Sequence, residues 1–314
     1  MTSSHGCVAP FRDHRNCEVS HRHVFCRTLR LSPKFAPERY ASGGTPVKSW
    51  QKRNVDIGMV SLTDQIVLIT GASSGIGAAC ASAFAGTGAK LILAARRIER
   101  LEAIAHTLYE TYGTAIHPIE LDVCDRSQVT TALEALPKEW RTIDVLVNNA
   151  GLSRGLDKLH QGSIQDWEEM IDTNIKGLLY MTRSIVPGMV ERGSGHVINI
   201  GSIAGHQTYP NGNVYCATKA AVRALTEGLK MDLLGTPVRV SSVDPGLVET
   251  EFSSVRFRGD NDRATKVYQG LTPLSADDVA DVVLFCATRP PHVNISDVLL
   301  VPTDQSSATM VHRR

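Results

Sequence analysis

The sequence predicts an α/β domain built on a doubly wound, mainly parallel sheet of seven strands, and three features carry that expectation. Short runs rich in branched apolar residues alternate with longer helical stretches along residues 61–314, as in repeated βαβ units. The first run passes through a turn with three glycines into a helix of small residues. Polar clusters then fall at the carboxyl ends of the runs, where an open parallel sheet forms its ligand crevice.

Taken in order, residues 65–70 (Q-I-V-L-I-T) read as a strand buried on both faces. Gly71, Ala72, Ser73, Ser74, Gly75, Ile76 and Gly77 follow, then Ala78, Ala79, Ala81, Ser82 and Ala83, a helix able to pack close to a sheet. Strand, glycine turn and helix make a phosphate cradle. Glycines let the backbone approach a diphosphate, and the helix start offers free N–H groups with a partial positive charge. The spacing is Gly-x-x-x-Gly-x-Gly.

The second strand, 90–95, ends where an acid would hold the ribose hydroxyls of NAD. Ala95, Arg96 and Arg97 stand there instead. Two guanidiniums suit a 2′-phosphate, so NADP(H) is the expected coenzyme. Both arginines also open the helix expected over 98–112, where a solvated arginine is ordinary. Further runs at 115–121, 143–147, 196–200, 238–243 and 298–301 complete the sheet, and four of them lead into Asp122-Val123, Asn148-Asn149-Ala150-Gly151, Gly201-Ser202 and Asp244-Pro245-Gly246.

Tyr215 and Lys219 lie four apart in V-Y-C-A-T-K-A-A-V, thirteen residues after Ser202. On a helix that spacing puts phenol and ammonium on one face, where the charge favours the phenolate and suits it to acid–base work on a carbonyl/alcohol pair.

With these residues in view, the chain resembles the short-chain dehydrogenases/reductases over 62–314: T-G-A-S-S-G-I-G, N-N-A-G, the upstream serine and Y-x-x-x-K match in order and spacing. The resemblance implies a single Rossmann-type domain and a catalytic tetrad of Asn174, Ser202, Tyr215 and Lys219. Tyr215 would be the acid in reduction and the base in oxidation, and Ser202 would bind the substrate oxygen. Lys219 would lower the tyrosine pKa and hold the nicotinamide ribose, with Asn174 in a proton relay behind it. Gly71, Ser73, Ser74, Gly75, Ile76 and Gly77 would cradle the diphosphate, beside Arg96 and Arg97. Asp122 and Val123 would touch adenine; Asn148, Ala150 and Gly151 would wall the coenzyme; Pro245, Gly246, Val248 and Thr250 would cradle the nicotinamide amide.

A narrower likeness, in D-P-G-L-V-E-T-E-F-S-S-V-R-F-R-G-D and P-P-H-V-N-I-S-D-V-L-L-V-P-T-D-Q-S-S, is to NADP-dependent 3-hydroxy acid dehydrogenases acting on serine, allo-threonine or 3-hydroxypropionate and malonic semialdehyde. It places a substrate lid over 252–262, where Arg256 and Arg258, with Arg154 after N-N-A-G, offer guanidiniums to a carboxylate. Each residue also has an ordinary reading. Asn148 and Asn149 are good turn formers, Ser202 a strand-end serine, Asn174 a helix-weakening residue, and the three arginines solvated or subunit contacts. Two other functions share the pattern: a 3-oxoacyl-carrier-protein reductase, whose acidic partner would need a basic entrance, and a non-catalytic NADP sensor.

The 314 residues carry 33 Lys/Arg and 32 Asp/Glu. Residues 1–60 hold ten Lys/Arg against four Asp/Glu, and the remainder 23 against 28, so the expected domain is mildly acidic and unlike a nucleic-acid binder. No apolar run approaches the eighteen or so residues of a membrane span. No His/Asp/Glu cluster in the domain suggests a metal. Residues 1–60 are expected to be disordered. Three readings stand for them: an organelle transit peptide, a zinc site from Cys7, Cys17 and Cys26 with His14, His21 and His23, and, preferred, an extension upstream of a start at Met59. Cys80, Cys124, Cys216 and Cys286 fit a reduced cytoplasmic protein. From the family likeness, a homotetramer is expected, built on paired helices such as 213–234 and on the last strand.

Overall fold

The computed structural model describes residues 60–314. The expectations for the leader, its cysteines and histidines and the start at Met59 lie outside the described residues.

Seven strands form one sheet: β1 (Ile66–Thr70), β2 (Lys90–Ala95), β3 (Ile116–Glu120), β4 (Ile143–Asn148), β5 (Gly195–Ile200), β6 (Val238–Pro245) and β7 (Asp297–Leu300). Their order is β3-β2-β1-β4-β5-β6-β7, and every pairing is parallel. The sheet is therefore wholly parallel, where the sequence allowed a mixed one. Nine α-helices accompany it among the described residues: α1 (Gly75–Ala85), α2 (Ile98–Tyr112), α3 (Arg126–Glu134), α4 (Ile164–Ile171), α5 (Leu178–Arg192), α6 (Asn213–Asp232), α7 (Phe252–Arg256), α8 (Asn261–Tyr268) and α9 (Ala276–Ala287).

Successive side chains of a strand point to opposite faces, and both faces here are buried. Val67, Ile69, Leu91, Leu93, Val145 and Val147 pack with α1 and α9 residues such as Cys80, Phe84, Val279 and Val283. Their neighbours Ile66, Leu68, Ile92 and Leu146 pack with Val129 of α3 and with Met181, Ile185 and Met189 of α5. The small residues of α1 let it lie on β1 and β2, and also directly against α9, a neighbour the sequence did not indicate.

Polar ties fix the strand ends. Thr70 Oγ1 donates to the Val147 carbonyl at 3.3 Å and accepts from the Asn149 and Ala150 amides at 3.0 Å, joining the ends of β1 and β4. The sheet order reverses between β1 and β4, and a crevice at such a switch point is where doubly wound sheets hold ligands.

Candidate active site

The glycine turn follows β1. Gly71 has φ +65°, and a Cβ at Gly77 would sit 2.4 Å from the Gly71 carbonyl oxygen, so only backbone fits there. No side chain caps the start of α1, and its first turn holds no acid. Arg97, at the end of β2, reaches across to this turn: Nε and Nη2 donate to Ser73 Oγ at 3.3 and 3.0 Å, and Nη2 to Ser74 Oγ at 3.0 Å. Glycines, open helix start and guanidinium can together hold a diphosphate and a further phosphate. Arg96 instead points outward, 3.9 Å from Asp122 and largely exposed. Asp122 stands at the end of β3, its carboxylate accepting from the Cys124 amide, and Val123 is buried where Gly177 packs on it.

Asn148 departs from its expected place. Its side chain is buried and donates to Thr182 Oγ1 and Asn199 Oδ1, while Asn199 donates to Thr226 Oγ1, a network linking β4 and β5 to α5 and α6. The physical reason is strand parity: Asn148 is the last residue of β4 and faces α5. Asn149, one residue on, lines the cleft and donates to the Thr70 and Gly71 carbonyls.

Asn174 lies in a π-helical segment, Asp172–Gly177, between α4 and α5, a distortion frequent at functional sites. Its Oδ1 accepts from the Leu152 amide at 2.8 Å; Nδ2 donates to the Leu152 carbonyl at 2.8 Å and to Thr218 Oγ1 at 3.0 Å. A Cβ at Gly151 would stand 3.2 Å from Asn174 Oδ1 and 3.6 Å from Lys219 Nζ, so Gly151 is where these two groups approach.

Ser202 follows β5; its hydroxyl accepts from the Ala204 amide at 3.1 Å. Tyr215 and Lys219 share the buried face of α6, as their spacing required. Burial pushes the Tyr215 phenol well above its ordinary value, helped by Tyr209, while the Ser202 hydroxyl beside it and the Arg256 guanidinium pull the other way. Lys219, the residue expected to bring the phenol down, donates to the Ile200 carbonyl, 2.8 Å away. Burial brings Lys219 down to about 8, and the Asp244 charge opposes that fall.

Of the three substrate arginines, the structure brings one to Tyr215. Arg256 Nη2 donates to Tyr209 Oη at 2.5 Å and Nε to the Gly155 carbonyl at 3.2 Å, with the guanidinium 5.5 Å from the centre of the Tyr215 ring. Arg154 is taken up by Glu169 at 2.6 Å and by the Val255 carbonyl. Arg258 is held by Asp166 at 2.5 Å and Glu169 at 3.1 Å, on the outer side of the segment. Carboxylates on α4 thus engage two of the guanidiniums expected to meet substrate. The expected lid is α7, the turn after it and the start of α8; Phe252 meets the Tyr215 ring edge-on at 5.7 Å.

Ser202, Tyr215, Lys219, Phe252 and Arg256 line one cleft of about 590 Å³, walled by Gly71, Gly75, Ile76, Ala150 and Gly151 on one side and by Pro245, Gly246, Val248 and Thr250 on another. Reasoning on motifs missed a third wall. The C-terminal segment folds back over the cleft with Gln305, Thr309, Val311 and Arg313; Gln305 Oε1 accepts from the Leu247 amide at 2.9 Å, and the Arg314 amide donates to the Gly270 carbonyl at 2.7 Å. It also missed Glu251, bonded to Arg97 and Arg100, and a cluster of His206, Asp244 and Asp297. His206 Nε2 is 2.5 Å from Asp244, whose other oxygen accepts from Ser242 at 2.5 Å. Nothing local in the sequence signals these long-range pairs.

The family model for short chain dehydrogenase matches residues 65–261. The chain belongs to that family. The NADP-dependent 3-hydroxy acid dehydrogenase YdfG of Salmonella typhi is 52% identical over 250 residues, covering 79% of this chain and 99% of the relative. The NADP-dependent 3-hydroxy acid dehydrogenase of Schizosaccharomyces pombe is 45% identical over 257 residues, covering 82% and 99%. Among solved structures, the closed form of serine dehydrogenase complexed with NADP+ superposes with a TM-score of 0.75 at 49% identity, covering 80% of this chain and all of that one.

Proposed function

We propose that this protein is an NADP-dependent oxidoreductase transferring a hydride between NADP(H) and the 3-hydroxyl or 3-oxo group of a small hydroxy acid. One observation carries the reading: Ser202, Tyr215, Lys219 and a guanidinium without a carboxylate partner among the described residues, Arg256, line the same cleft as the glycine turn. The relatives at 45–52% identity that bear the name 3-hydroxy acid dehydrogenase support the substrate class.

The bare turn at Gly71 and Gly77, the uncapped α1 and Arg97 fit a phosphorylated dinucleotide. When bound, NADP+ supplies the hydride acceptor. The protein's own groups do the rest. Tyr215 takes the proton of the 3-hydroxyl as the hydride leaves the carbon that bears it, and returns the proton in reduction. Ser202 donates to the substrate oxygen as charge develops. Arg256, a short distance over the Tyr215 ring, holds the carboxylate, which fixes the acid so that its 3-hydroxyl meets the phenol. Lys219 and Asn174 stand behind the phenol, near Gly151.

The carrier-protein alternative has less support, because Arg154 and Arg258, two of the cations such a docking face would use, are neutralised by Glu169 and Asp166. The alternative of a silent sensor is weakened by the presence of every member of the tetrad. We place the protein, by family likeness, in the cytoplasm as a homotetramer.

The test is steady-state oxidation of serine, allo-threonine, 3-hydroxypropionate and uncharged alcohols with NADP+ and with NAD+. Turnover is expected on the acids with NADP+. Tyr215→Phe should lose roughly 10²–10⁴-fold in kcat while still binding NADPH. Arg256→Ala should raise KM for the acids roughly ten- to a hundredfold and leave it unchanged for the alcohols. No turnover on the acids, or turnover on the alcohols alone, would refute the assignment.

A further inference from the structure

Glu251 sits where two functions meet. Its Oε2 is 3.3 Å from Arg97 Nη1, and Arg100 Nη1 donates to Oε1 at 2.8 Å and to Oε2 at 3.1 Å. The opposite edge of the Arg97 guanidinium is pinned by the hydroxyls of Ser73 and Ser74 in the glycine turn. Arg97 is thereby held between the phosphate cradle and a carboxylate. The Arg100 and Arg97 bonds keep the Glu251 carboxyl below the usual range, so it is anionic at neutral pH.

Glu251 is also the residue at the start of α7, whose Val255 amide donates to its carbonyl at 2.9 Å. Helix α7 carries Phe252 and Arg256 to the Tyr215 ring. A 2′-phosphate brings nearly two negative charges and three acceptor oxygens to the guanidiniums that one carboxylate now uses. Both anions need the same N–H groups. The Glu251 side chain is about half exposed, so nothing rigid prevents the exchange.

We propose that Glu251 is a coenzyme-specificity residue: an internal anion that the 2′-phosphate displaces from Arg97 and Arg100, in an exchange that frees the start of α7 and so ties coenzyme binding to the segment over Tyr215. This rests on the reading of Arg97 as partner of the 2′-phosphate. By linkage, whatever Glu251 gains from the arginines is subtracted from NADP+ affinity and not from that of NAD+.

Calorimetric titration with 2′,5′-ADP and with 5′-ADP separates the phosphate from all redox chemistry. Glu251→Gln should bind 2′,5′-ADP about fivefold tighter than the wild type and 5′-ADP equally well. Amide exchange read by mass spectrometry should quicken at 252–257 when 2′,5′-ADP binds the wild type, and be fast already in the ligand-free variant. Glu251→Asp, too short to span both guanidiniums, gives the same direction should the glutamine variant fold poorly. Unchanged or weaker 2′,5′-ADP binding, or a parallel loss of 5′-ADP affinity, would overturn the proposal by making Glu251 inert or a ribose ligand. Full 2′,5′-ADP affinity in Arg97→Gln would instead remove Arg97 as phosphate partner, and the inference with it.

Discussion

Lys219 is a buried ammonium whose hydrogen bond goes to a carbonyl and whose opposing charge is Asp244. Asp244 is itself buried, against Gly201 and bonded to His206 and Ser242. With the ammonium brought down to about 8, its proton leaves as pH rises through that value. The alkaline limb of kcat/KM for NADP+, which reports groups of the free enzyme, should therefore fall near there. Asp244→Asn removes the charge that resists deprotonation and should move the limb to lower pH. A limb that stays in place would remove Asp244 from the site's electrostatics. Side chains were readable in proportion to how local their signal is. Tyr215 and Lys219 announce each other across one helical turn, and Ser202 ends a strand. Asn148 and Asn149 are adjacent residues of opposite parity, and a slip of one exchanges core for cleft. Arg154 and Arg258 looked free because their acids, Asp166 and Glu169, belong to another element.

Among the elements, α9 has the clearest start. Ser275 accepts from the Asp278 amide at 3.2 Å while Asp278 accepts from the Ser275 amide at 2.8 Å, a reciprocal capping box. Because α9 buries Val279, Ala280 and Val283 against α1, fraying there loosens the sheet's cover. Ser275→Ala should cost about 1 kcal/mol in urea unfolding; no change would show the cap to be idle. The Ser275 bonds hold the Asp278 carboxyl below its ordinary range, so its contribution is present above the usual carboxylate pKa and fades as pH falls through the lowered one. Strands were legible to within a residue or so, since both sheet faces are buried and the runs are apolar throughout. The π segment around Asn174 was not: D-T-N-I-K-G has nothing local that adds a residue to a turn, and the close packing of Gly177 on Val123 that accompanies it comes from the loop after β3.

At the scale of the whole molecule, Leu179, Met231 and, at 89% exposure, Leu234 are apolar side chains left exposed on and after α5 and α6, the helices on which the proposed tetramer would be built. Light scattering on the purified protein should give four times the 34.1 kDa chain mass, and a monomer would remove that expectation. The seven-stranded doubly wound sheet and the glycine turn after its first strand were legible because βαβ units repeat in sequence. The third wall of the cleft was not, because a segment without periodicity takes its place from the surface it lands on. That wall has a consequence for biosynthesis. The phosphate cradle lies near the start of the described chain and the segment from Gln305 to Arg313 near its end, so a ribosome delivers the groove for the nucleotide early and the enclosure around the reacting carbon last.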